Sequence, residues 1–135
     1  MPDRTVLAEE WFERGSSDLR AARRSFDAAD YTTTLAVLIH QAVEKYLKGF
    51  LIVHGWKLKK THNLVELVSE AVQYGAAFEP FLAFARSATV YYLDDRYPGQ
   101  RPPQYLSGEM EEALGNAQDL IRRIENSMRS CDVNE

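Results

Sequence analysis

Three short runs in this 135-residue chain carry side chains able to act together on an anion: Gln41-Ala42-Val43-Glu44-Lys45-Tyr46-Leu47-Lys48, Thr61-His62-Asn63-Leu64 and Arg96-Tyr97-Pro98. On a helix, at ~100° per residue, Gln41, Glu44, Lys45 and Lys48 fall within about 100° of arc. That strip offers an amide and two ammonium groups to phosphate oxygens, with Glu44 placed to orient either lysine. On charge pattern alone it reads sooner as a solvated face held by i, i+4 contacts such as Glu44 to Lys48. His62 precedes a helix start, where an imidazole either caps backbone N–H groups or, when protonated, binds phosphate. Arg96 and Tyr97 stand before a proline that keeps Tyr97 extended, so Arg96 either meets phosphate or ties its loop to Asp18 or Glu44. The candidate ligand-binding set is Gln41, Lys45, Lys48, His62, Arg96 and Tyr97, and any acid–base catalysis would draw on His62, Arg96 or His40.

Other chemistries find less support. The acidic pairs Glu9/Glu10, Asp94/Asp95 and Glu111/Glu112 are sequence neighbours, which point apart on a helix and read as solvated surface. Within the predicted helices only His40 with Glu44 has metal-ligand spacing, and one such pair reads as a surface hydrogen bond, so no metal is expected. The chain lacks Gly-x-x-x-x-Gly-Lys-Ser/Thr, Gly-x-Gly-x-x-Gly, His-Glu-x-x-His and a Gly-x-Ser-x-Gly elbow.

A formal net charge of −4 confines any polyanion site to a local patch, and the most basic stretch runs from Lys45 through Lys57, Lys59 and Lys60 to His62. Cys131 is the sole cysteine, which excludes an internal disulfide framework and fits a reducing, cytoplasmic setting. Met1 to Glu10 does not read as a signal peptide. The most apolar stretch, Leu35 to His54, is broken by His40, Gln41, Glu44, Lys45 and Lys48, so no membrane association is expected.

The elements that must position these residues are helices. Ala8, Trp11, Phe12, Gly15, Leu19, Ala22 and Phe26 recur at three- and four-residue steps and predict a first helix over about Thr5 to Ala28, with Arg14 pointing away from its stripe. A second helix spans about Tyr31 to Val53, with Asp30 as cap and Gly55 beyond its end. Asn63, followed by Glu66, starts a short third helix ending near Gly75. Pro80 suits the first turn of a fourth helix reaching about Leu93, a proline-rich loop covers about 94–106, and Ser107 caps a last helix to about Arg129, ahead of a frayed tail at 130–135. The expected architecture is one all-α domain over 1–135, an antiparallel four-helix up-and-down bundle with a short additional helix. Most aromatics fall on the stripes; Trp56, Tyr91, Tyr97 and Tyr105 lie off them, placed to anchor a partner or stack on a base, and of the two a protein interface is the expectation.

With an opening helix bearing Trp11 and Asp18-Leu19, the order and spacing of these pieces resemble the HEPN domain family over about Leu7 to Met128. The resemblance implies a helical bundle, a homodimer, nucleotide or RNA binding, and a minimal nucleotidyltransferase partner in a toxin–antitoxin-like pair. No cofactor is expected. Many members are metal-independent ribonucleases, marked by an Arg, four to six intervening residues and a His. This chain departs from that signature: the permitted Arg positions hold Thr33, Thr34 and Leu35 for His40, Leu47, Lys48 and Gly49 for His54, and Gly55, Trp56 and Lys57 for His62. Lys48 and Lys57 sit at allowed offsets but lack the bidentate guanidinium fork. Three functional expectations therefore stand: a phosphate-binding partner protein, a ribonuclease with a non-standard site, and a non-catalytic dimerisation module.

Overall fold

The computed structural model describes residues 3–57, 59–95 and 105–133, with the side chains of Ala76, 89–95 and 130–133 left aside. Five α-helices run in order: α1 (Arg4–Asp27), α2 (Thr33–Val53), α3 (Leu64–Val72), α4 (Leu82–Asp95) and α5 (Ser107–Val133), with a 3₁₀ segment (Ala76–Phe81) before α4. Among the described residues there is no strand. No helix among them is long and apolar enough to cross a membrane.

Local chemistry sets the helix ends. Asp3 accepts the N–H of Thr5 at 3.1 Å and starts α1. At the far end Ala29 takes φ 59°, and the N–H groups of Ala29 and Asp30 return to the carbonyls of Phe26 and Ser25, both at 2.9 Å. This is a Schellman closure with an alanine in the left-handed position. The cap of α2 is Thr32, not the expected Asp30: the Thr32 hydroxyl accepts from Thr34 N–H while donating to Asp30 at 2.7 Å. Asp30 thus acts one step removed, orienting the capping hydroxyl. A second Schellman closure ends α2, with Gly55 at φ 95° and Trp56 N–H reaching the Leu51 carbonyl at 2.9 Å. The residue in that position characteristically packs back on the helix, which explains why off-stripe Trp56 lies partly buried against the core rather than on an outer interface. Tyr105, also expected outside, packs there too, and its N–H bonds the Tyr31 carbonyl at 2.8 Å.

Helix α2 is the centre. Among the described residues it alone packs against all four other α-helices, and its buried residues, among them Leu35, Ala36, Ala42, Glu44, Lys48 and Ile52, are spread around the whole helix axis. Such all-round burial exceeds the single apolar stripe of a surface helix. Helix α1 lies along α2 through two glycine contacts: a β-carbon at Gly15 would come within 2.6 Å of the Tyr46 ring, and one at Gly49 within 2.6 Å of Phe12. The 3₁₀ segment takes Pro80 into itself and buries Phe78 and Phe81, so the fourth α-helix begins after the expected position. It extends through Asp94 and Asp95, residues assigned from sequence to the proline-rich loop, and α5 continues past Arg129 to Val133. The remainder of that loop up to residue 104, including Arg96 and Tyr97, lies outside the described residues.

Candidate functional site

The polar strip of α2 is not a solvated face. Glu44 and Lys48 are only 6% and 4% exposed, and His40 beside them is fully enclosed. Burying a carboxylate this deeply requires partners, and Glu44 has them on three sides. Lys48 Nζ donates to Oε2 at 3.1 Å. His62 Nδ1 lies 3.0 Å from Oε1 and 3.2 Å from Oε2. His40 Nδ1 is 3.7 Å from Oε1. An ionised carboxylate only accepts, so the His62 contact is a donation from Nδ1–H. His62 itself remains 55% exposed at its side chain.

His62 does not cap α3, as one expectation had it. That task falls to Asn63, whose Oδ1 accepts from Val65 N–H at 3.0 Å and Glu66 N–H at 3.3 Å. Thr61 completes the corner by donating to Glu66 and accepting from Asn63 N–H. With its neighbours handling the orphan backbone donors, the His62 side chain is left to reach α2.

The burial of His40 pushes its pKa down to about 4 against the pull of Glu44 in the other direction. It is a neutral ring near pH 7, enclosed away from any macromolecular substrate, and belongs to the support of Glu44. The His40–Glu44 pair is accordingly a buried contact, where spacing suggested a surface one. Among the described residues no group of three or more metal-ligating side chains forms a metal site. The ammonium of Lys48 against Glu44 would itself repel a cation there.

Above this cluster opens a cleft of about 460 Å³, walled by Trp11 and Arg14 of α1, Gln41, Glu44, Lys45 and Lys48 of α2, and Lys59, Lys60 and His62 of the following loop. The structure therefore brings Gln41, Lys45, Lys48 and His62 together. The two lysines of α2 are engaged: Lys48 with Glu44, Lys45 with Asp18 of α1. Asp18 is a structural partner, in line with its place at the edge of the α1 stripe, and its cation is Lys45. Among the described residues, charge not committed to a carboxylate comes from Arg14, Lys59 and Lys60, all exposed. Arg14 was expected to point elsewhere. It joins the cleft because α2 lies beside α1, a placement that the α1 pattern alone does not contain. The indole of Trp11, assigned to the core from its stripe, is half-buried and has Lys48 Nζ 5.4 Å from its ring centroid.

The arrangement is a cationic hollow in which the one carboxylate among the described lining residues, Glu44, is already matched by Lys48 and His62. Such a surface attracts an anion without first displacing an acidic competitor. The family model of the HEPN domain matches residues 8–127. Comparison with curated proteins finds no match. Among solved structures, the fold is similar to TT1696 from Thermus thermophilus, with a TM-score of 0.71, 28% identity and coverage of 88% of this chain and 96% of that one. It is also similar to ST0689, an archaeal HEPN homologue, with a TM-score of 0.67, 20% identity and coverage of 89% and 96%. With a family match over nearly its whole length and the same all-helical fold, this chain belongs to the HEPN domain family.

Proposed function

We propose that this HEPN protein binds the phosphate groups of a nucleotide or RNA in the cleft between α1, α2 and the loop before α3. The observation that carries the reading is that, among the described residues, Arg14, Lys59 and Lys60 are not committed to a carboxylate and surround a hollow whose lining carboxylate, Glu44, already has Lys48 and His62 as partners. Lys45 and Lys48 set the local potential and hold the wall in shape; Gln41 supplies an amide at its edge. The test is binding of a radiolabelled nucleoside triphosphate and a single-stranded RNA to the purified chain. Binding that falls at least tenfold in an Arg14→Ala, Lys59→Ala, Lys60→Ala variant supports the site, and unchanged binding removes it. Family membership further supports a homodimer and a minimal nucleotidyltransferase partner in a toxin–antitoxin-like pair. Light scattering and co-purification with the partner check these two points.

The His62–Glu44 contact favours a second reading, metal-independent RNA cleavage without the family's Arg-to-His spacing. A carboxylate on Nδ1 orients the ring and leaves Nε2 as the nitrogen for proton transfer. Cleavage of labelled RNA in the presence of chelator, lost in His62→Ala, is its expected result; intact RNA after prolonged incubation rejects it.

A further inference from the structure

We infer that Trp11 is the base-recognising wall of the cleft, so that the ligand is a nucleotide unit read through its base as well as its phosphates. This rests on the anion-binding reading above and adds a specificity to it. Three observations carry it. Among the described residues, Trp11 is the one aromatic side chain lining a wall otherwise made of cations, an amide, a carboxylate and an imidazole. The indole is half-buried, which fixes its plane while leaving part of it at the cleft. The volume of about 460 Å³ is several times what a phosphate group fills and lies within the range of pockets that enclose drug-sized molecules.

Lys48 Nζ stands 5.4 Å from the indole centroid, fixed there by its bond to Glu44. Partly buried, the indole has less left to order when a ligand arrives than a fully exposed ring would. Stacking on the indole tolerates any base, since each has a π face. A phosphate chain extending from that base meets Arg14, Lys59 and Lys60. A free nucleotide and a residue of single-stranded RNA share this chemistry.

The chain has two tryptophans, Trp11 and Trp56, which supplies a direct readout. Trp56 packs against the core and is not part of the cleft wall. Its buried Nε1 has no hydrogen-bond partner among the described residues, so Trp56→Phe removes no such bond and leaves Trp11 as sole tryptophan emitter. In that variant, adenosine triphosphate or oligoadenylate is expected to quench the emission on saturation, whereas inorganic tripolyphosphate binds without comparable quenching; the two base-bearing probes separate free nucleotide from RNA. Titration calorimetry on the otherwise unaltered chain is expected to show adenosine triphosphate binding roughly tenfold tighter than tripolyphosphate. Trp11→Leu should erase that difference and Trp11→Phe restore most of it. Equal affinity for the two anions, or no quenching at saturation with adenosine triphosphate or oligoadenylate, overturns the role of Trp11 while leaving the anion site standing. Failure of tripolyphosphate, adenosine triphosphate and oligoadenylate alike to bind overturns the anion site and this inference with it.

Discussion

The Nδ1 of His62 lies 3.0 Å from Oε1 of Glu44, joining residues eighteen positions apart across the loop that follows α2. Through this contact, the buried charge of α2 fixes the position of the loop near the entrance of α3. Lys59 and Lys60 hang on the same loop, so the placement of these exposed cations depends on a buried carboxylate.

Removing that carboxylate should therefore cost stability first. With Glu44→Leu, Lys48 is left buried without its counter-charge, and the expected loss is roughly 3 kcal/mol in urea unfolding. Adding Lys48→Met should recover most of it, because an apolar pair of similar volume carries no desolvation penalty. A double variant as unstable as the single one would show that the destabilisation comes from packing rather than charge.

Acid should weaken the fold through His40. Its folded-state pKa of about 4 lies below the ordinary histidine value of 6.5, so the unfolded chain binds the extra proton. This contribution is fully present above about pH 6.5 and is lost progressively as pH falls towards 4. Between pH 7.5 and pH 5 the loss from this group is roughly 2 kcal/mol. Burial lowers the pKa of His54 as well, with the same sign. Urea midpoints at the two pH values should converge in His40→Leu relative to the parent; an unchanged gap would assign the acid sensitivity to other groups.

The glycine contacts between α1 and α2 set opposing effects against each other. Gly49→Ala gains about 1 kcal/mol of helix propensity, yet its new methyl would stand 2.6 Å from Cε1 of Phe12. Overpacking of that kind costs about 1–3 kcal/mol, so net destabilisation of about 1 kcal/mol is expected in thermal unfolding. The same holds for Gly15→Ala against Tyr46, where the Ala42 carbonyl also lies 3.2 Å from the added carbon. Phe12→Leu should relieve the first substitution and not the second.

Binding of single-stranded RNA should weaken with salt. Each phosphate contact adds ~0.7 to the magnitude of the slope of log affinity against log salt concentration. Lys59→Ala should reduce the slope by about that amount, while Lys57→Ala should leave it unchanged, since Lys57 is exposed on the same loop but does not line the cleft. Equal effects of the two substitutions would indicate diffuse attraction rather than a defined cleft.

Much of this protein was readable as one-dimensional pattern. Three- and four-residue apolar steps placed α1, α2 and α5 to within a few residues, Asn63 was recognisable as the start of α3, and Gly55 as the end of α2, because caps and stripes depend on neighbours along the chain. The family followed from the order of the runs Gln41 to Lys48, Thr61 to Leu64 and Arg96 to Pro98 after a first helix with Trp11 and Asp18-Leu19. Burial did not follow. A helix whose polar strip reads as solvated becomes an interior element only when four other helices close around it, and that turned Glu44 and Lys48 from surface charges into a buried pair. Pairing was equally out of reach: Lys45 takes Asp18, and Arg14 joins Lys59 and Lys60, because α1 packs beside α2 through Gly15 and Gly49. Partner choice among charges is a matter of distance in space, which local periodicity does not encode.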